Sequence, residues 1–171
     1  MNKGFTLMEL LVYSALVALV ITLAIVFAIS ITKETSKSSI REEVQRNAAG
    51  ILRTFDFEVH HARGIYTPTS DFLGNPGRLS LLTSLTPPTG ESSGYLDMYV
   101  DAGAFCLKRE LTGVSCITSS NVQVSSLTFT RIVQSGGQES AQMRATVRYV
   151  HPNAEFQFPL TVQTSARLRG Y

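Results

Sequence analysis

Residues 5–31 read FTLMELLVYSALVALVITLAIVFAISI, and Glu9 is the one charged side chain in that stretch. From Leu10 to Ile31 there is no charge, no proline and no glycine. A bilayer core of about 30 Å takes roughly 20 helical residues at about 1.5 Å each, which this run supplies. A secretory signal would have an apolar core of about 7–15 residues followed by small residues at a cut site. Here the run passes directly into Thr32-Lys33-Glu34. A buried core helix of this length needs a large protein around it, and the chain has 171 residues. The expectation is a single membrane-spanning helix over 5–31.

Composition agrees with that division. Charged residues make up 16% of the chain, below the roughly 25% of soluble domains, and the deficit is concentrated in this run. Fifteen basic against 13 acidic residues give a net charge of +2, which indicates neither a strongly basic nucleic-acid binder nor an acidic tail.

The helical period continues past the span. Ile40, Val44, Ala48, Ile51, Leu52, Phe55, Val59 and Ala62 recur at three- and four-residue steps, an amphipathic stripe. Arg41, Glu42, Glu43, Arg46, Arg53, Asp56 and Glu58 fill mostly the remaining surface. His60, His61 and Arg63 suit a helix C-terminus, and Gly64 reads as its stop. One helix from about Phe5 to Arg63 is expected, with 32–64 as its amphipathic continuation. Gly50 and Phe57 fall opposite the stripe, as a contact with another subunit or as ordinary surface.

Residues 65–171 change to period two. Arg78–Ser84, Tyr95–Asp101, Ala104–Glu110, Val114–Thr118, Val122–Val133, Met143–Val150 and Glu155–Arg169 read as strands, separated by turn residues. Apolar parity switches between Val124 and Leu127, which predicts a bulge near Ser125-Ser126. A hairpin pairing Tyr149 with Phe156 would place Met143, Ala145 and Val147 on one face with Phe158, Leu160 and Val162. Thr67–Gly77 and Thr83–Gly94 read as exposed loops. The expected fold is α+β, a long N-terminal helix whose distal half lies on an antiparallel sheet.

The N-terminal string Lys3-Gly4-Phe5-Thr6-Leu7-Met8-Glu9-Leu10-Leu11-Val12 closely resembles the type IV prepilin motif. The resemblance implies a leader, residues 1–4, removed by prepilin peptidase after Gly4, and N-methylation of the new terminus Phe5. It assigns Glu9 an assembly role, pairing with the Phe5 amine of a neighbouring subunit. Physically, a carboxylate and an amine that are each costly in lipid offset one another when paired, and the pair fixes register. The alternative is a Glu9 that merely reaches the headgroups. The resemblance also implies the partners: other pilin or pseudopilin subunits, the peptidase, an inner-membrane assembly platform, and lipid before assembly. It places residues 65–171 outside the bacterial cytoplasmic membrane, whereas Lys33, Lys37, Arg41 and Arg46 alone would argue for the cytoplasmic side. Arg46, Leu52, Asp56 and Ala62-Arg63 are similar to the larger minor pilins and J-type pseudopilins. A minor or initiating filament subunit, of a pilus or of a type II secretion pseudopilus, is the implied function.

No catalytic or metal constellation emerges. Adjacent His60 and His61 point about 100° apart on a helix, and His151 is the remaining imidazole. There is no Gly-x-Ser-x-Gly elbow and no glycine-rich phosphate loop; Ser135-Gly136-Gly137 reads as a hairpin turn. Enzymatic activity and cofactors are not expected. A second reading is a DNA-uptake or adhesive module, for which Arg131, Arg144, Arg148, Arg167 and Arg169 are the available cations; an alternating cation pattern is more often a solvated face. Cys106 and Cys116 flank a strand, a turn at Gly113 and a strand. Folded back as a hairpin they stand opposite each other, within or near disulfide range, and an extracytoplasmic location permits oxidation. A Cys106–Cys116 disulfide is expected, with two reduced buried thiols as the alternative.

Overall fold

The computed structural model describes residues 6–83, 87–135 and 137–169. Helix α1 runs Leu7–His61 and is followed by eight strands: β1 Ala62–Ile65, β2 Leu79–Thr83, β3 Gly94–Asp101, β4 Ala104–Arg109, β5 Gly113–Cys116, β6 Val122–Val133, β7 Glu139–Tyr149 and β8 Leu160–Arg167. The fold is α+β, a 55-residue N-terminal helix packing against antiparallel sheets. The chain divides into two units, Met1–Ser39 and Ile40–Tyr171.

In the first unit, every described residue up to Ser36 is exposed, including Leu10, Val17, Ile25 and Phe27. From Leu10 to Ile31 its helix is apolar all round, as a helix surrounded by lipid or by other helices must be. In the second unit, Val44, Ile51, Phe55 and Val59 on α1 are fully buried and Ala48 nearly so. Each of the larger ones contributes about 1.5–3 kcal/mol by leaving water. Phe55 stacks against Phe129 of β6 with ring centroids 6.3 Å apart.

The strands form two sheets where one was expected: a five-stranded sheet ordered β1-β2-β3-β4-β5 and a three-stranded sheet ordered β6-β7-β8. Their inner faces, with Leu79, Leu96, Met98 and Phe105 from the first and Leu127, Phe129, Met143 and Val147 from the second, share one core with the helix stripe. The β3–β4 turn joins them. Ala102 and Gly103 both have positive φ (47° and 84°), the turn whose twist suits a two-residue hairpin, and the Gly103 carbonyl accepts from Val124 N–H at 2.7 Å. A Cβ on Gly103 would lie 2.5 Å from Gln123 Cγ.

Three local expectations are corrected. The helix does not stop at a Gly64 cap; it passes straight into β1, and Gly64 pairs with Leu82. Glu58 is buried, not on the polar surface. The β7–β8 register is Val147 with Leu160, two residues from the pairing expected from Tyr149 and Phe156. The cause is local: Asn153 caps a 3-10 turn over Ala154–Phe156, and Phe158 has φ 30°, so Phe156 never enters the strand. Parity is conserved by a shift of two, so the apolar face is still the inner one. Pro159 sits just before β8, where its missing N–H costs no ladder bond. The bulge lies where parity places it, the register shifting between Val124 and Ser126. The loop 67–77 is mostly exposed, as expected, and is tied to β6: Gly77 N–H donates to Leu127 O at 2.7 Å, and Leu127 N–H donates to Asn75 Oδ1 at 3.1 Å.

Candidate assembly site

The apolar half of α1 begins with a reciprocal cap. Glu9 N–H donates to Thr6 Oγ1 at 3.3 Å, and Glu9 Oε2 accepts from Thr6 N–H at 3.2 Å and from its hydroxyl at 3.1 Å. This is the Ser/Thr-x-x-Glu capping box, which satisfies amides that the first helical turn leaves without partners and puts a carboxylate at the positive end of the helix dipole. The Thr6-x-x-Glu9 spacing is legible in the sequence, but the pairing expectation for Glu9 obscured it. Gly4 and Phe5, the expected cleavage and methylation positions, lie outside the described residues.

Along the span the serine and threonine hydroxyls are bonded within the helix. Ser14 Oγ donates to Leu11 O at 2.9 Å, Thr22 Oγ1 to Ala18 O at 2.8 Å and Ser30 Oγ to Val26 O at 3.0 Å. In hydrocarbon an unsatisfied hydroxyl would be costly, so these side chains are compatible with burial in lipid or in a helix bundle. This is a helix long and apolar enough to cross a membrane.

The distal half of α1 is fixed by polar contacts on both flanks of its buried stripe. On one flank, Arg109 of β4 donates to Glu58, whose side chain is 3% exposed against 31% for Arg109. Nearer the start of the unit, Asn47 Oδ1 accepts from Ser119 N–H at 2.8 Å and Glu43 Oε1 from Ser119 Oγ at 2.9 Å. On the other flank, the Arg41 guanidinium lies 5.1 Å from the Phe158 ring centroid. His60 Nδ1 donates to the Arg167 carbonyl at 2.8 Å. His61 turns to Phe57 O at 2.7 Å, so the two imidazoles diverge. The Glu58–Arg109 pair is not expected from the sequence, because Glu58 reads as surface. The signal was its spacing, since Ile51, Phe55, Glu58 and Ala62 step by four, three and four.

Cys106 and Cys116 are joined as a disulfide with Cα atoms 4.0 Å apart, directly across the β4–β5 ladder. All four β5 residues are exposed. The strand therefore has no core burial of its own, and the covalent link holds it to β4. Of the cations considered for DNA, Arg144 and Arg148 lie on the outer face of the three-stranded sheet. Arg131 is paired with Glu139, Arg148 donates to Gln123 Oε1 at 3.2 Å, and Arg167 and Arg169 lie beside His60. By the β7–β8 register Arg167 shares that outer face with Arg144 and Arg148, whereas Arg131, opposite the buried Ala141, does not. Among the described residues, no three His, Cys, Asp or Glu side chains are grouped to hold a metal ion.

No family model, curated protein or solved structure matches this chain. The architecture itself, a long apolar N-terminal helix packed on antiparallel sheets, is pilin-like.

Proposed function

We propose that the chain is a structural subunit, minor or initiating, of a type IV pilus or of a type II secretion pseudopilus. In this reading prepilin peptidase cuts between Gly4 and Phe5, Phe5 is N-methylated, and the subunit joins the filament through its N-terminal helix. The domain after the span lies outside the cytoplasmic membrane, the other partners being neighbouring subunits and an inner-membrane assembly platform. The reading assigns the chain no enzymatic activity.

The observation that carries it is the exposed apolar helix, joined to a folded domain and bearing one carboxylate at its start. A membrane anchor alone has no use for an acidic residue inside the span, which costs about 2.5–3.5 kcal/mol at mid-membrane and less near the end. The capping box makes Glu9 tolerable before assembly, and after cleavage its carboxylate is available to an incoming amine. Two substitutions separate these roles. Thr6→Ala removes the hydroxyl that caps the residue-9 amide and keeps the charge; Glu9→Ala removes the charge and leaves that hydroxyl cap in place. Insertion and cutting are expected in both proteins, and incorporation into sheared or cross-linked filaments is expected to fail in Glu9→Ala alone. Normal incorporation of Glu9→Ala would refute the assembly role.

A further inference from the structure

Two strands of the domain end their sheets with bare backbone. In β8, Leu168 N–H donates to Glu139 O, so by alternation Leu160, Val162, Thr164 and Ala166 bond to β7. The amides and carbonyls of Thr161, Gln163 and Ser165 therefore point away from the sheet, as does the Arg167 carbonyl that His60 reaches. In β5, Ile117 N–H donates to Phe105 O; Cys116 and Val114 are thus the non-bonded partners of Cys106 and Lys108, and their backbone groups point outward. Among the described residues none of these outward groups has a backbone partner. Neither strand contains proline, lysine or a bulge, three of the ways of blunting an edge. By contrast β1, the other edge of the five-stranded sheet, is interrupted by the irregularity between Ala62 and Gly64, and the far side of β6 is partly covered, at Val124 and Leu127, by bonds to Gly103 and Gly77.

The two bare edges have opposite polarity relative to α1. β8 runs with the helix, since Arg41 stands over Phe158 just before the strand and His60 reaches its last residue. β5 runs against it, since Ser115 lines a cleft with Phe57 and Glu58 while the later Ser119 bonds to Asn47 and Glu43. On a helical wheel Arg41 and His60 fall on one side of the buried stripe, Glu43, Asn47 and Glu58 on the other. The edges thus flank opposite sides of the helix. Two copies whose helical segments Ile40–His61 point in the same sense could not pair β8 with β8 antiparallel, because that would oppose those segments. They can pair β5 of one copy antiparallel with β8 of the next.

We propose that β8 of one copy of this chain adds to β5 of another as a further antiparallel strand, a head-to-tail contact that repeats along an assembly. The occupant of the β5 edge is a second copy, and the proposal rests on the filament reading above for the shared sense of the helices. With Val114 opposite Gln163, Leu160 of the incoming strand lies beside Ile117 and Val162 beside Ser115. Val162, packed on its own core, there stands at the mouth of a cleft of about 390 Å³ lined in part by Phe57, Leu107 and Ile117, and the contact covers apolar side chains that each domain leaves half-exposed. The contact is heterologous, so it propagates into open or ring assemblies and does not close as a two-fold dimer.

The test is site-specific photo-cross-linking of the full chain in its own membrane. A photoreactive side chain at Gln163 is expected to shift the protein to dimers and larger species, with the link mapping by mass spectrometry to residues 113–117 of another copy. A probe at Val114 is expected to map to residues 160–167. Thr161→Pro, which removes an outward N–H and no ladder bond, is expected to abolish the Val114 cross-link while near-ultraviolet circular dichroism is retained. Linking of Gln163 to Gln163, or no link between copies from either probe, would overturn the proposal. Chain recovered from filaments without these links would sink the edge contact and leave the filament reading intact; links in the membrane from a chain that never enters filaments would do the reverse.

Discussion

The two halves of α1 share one backbone and meet different surroundings. From Leu7 to Ser36 the side chains are exposed and apolar on every side until Thr32; from Ile40 to His61 they are buried along one stripe. Uniform apolarity calls for a uniformly apolar surrounding, whereas a stripe calls for a sheet on one side. The distal half therefore specifies the domain, and the proximal half contributes nothing to the domain's core. Substitutions in the two halves should then separate cleanly by assay.

The largest effect should come from Phe55→Ala, which empties a fully buried site against Phe129. A loss of about 3–5 kcal/mol is expected from denaturant unfolding of the detergent-solubilised chain. Leu19→Ala, in the proximal half, should leave that unfolding transition where it is. Equal losses from both would erase the distinction between the halves.

Next is the contact that anchors the distal half to β4. Arg109→Met leaves the Glu58 carboxylate buried without its cation, which should cost about 3 kcal/mol, the low end for a broken buried pair because Arg109 is partly exposed. Glu58→Gln should cost less, since the amide still accepts from the guanidinium. A reversed order of the two would show that Glu58 is held by something other than Arg109.

The interior of the domain was more legible in the sequence than its long-range joins. The period-two pattern locates β6 and its bulge because the parity of Val124 and Leu127 is a local signal. The cysteine spacing likewise places Cys106 across from Cys116. The division into two sheets was not legible, because it depends on Gly77 and Gly103 docking on β6, and neither residue carries a pattern pointing there. Ala62–Gly64 reads as a helix ending, and the strand β1 that they form with Ile65 is hidden because four residues are too few to show alternation. At the candidate assembly site, the apolar run and Glu9 are evident in the sequence, and the Thr6 cap is visible there only as the Thr-x-x-Glu spacing.

A smaller effect is expected at the exposed edge. Replacing both Cys106 and Cys116 by alanine should cost about 2.5 kcal/mol on the chain-entropy account of a short closed loop. Because β5 has no buried residue, amide exchange should rise over Gly113–Cys116 well before it rises in β7. Protection of β5 unchanged by the substitution would mean that backbone pairing alone holds the strand. The smallest effect belongs to the cap: Thr6→Ala should weaken the first turn by about 1 kcal/mol. Faster amide exchange near Leu7–Glu9 should report it, with no change in domain unfolding.

The central claim, that residues 5–31 are kept as an assembly helix after a short leader is removed, is tested most directly at the mature N-terminus. Mass spectrometry of the chain purified from the cell envelope should find N-methylated Phe5 as the first residue. A chain that still begins at Met1, or one that has been cut beyond Ile31 so that the apolar helix is lost as a signal sequence, would contradict it.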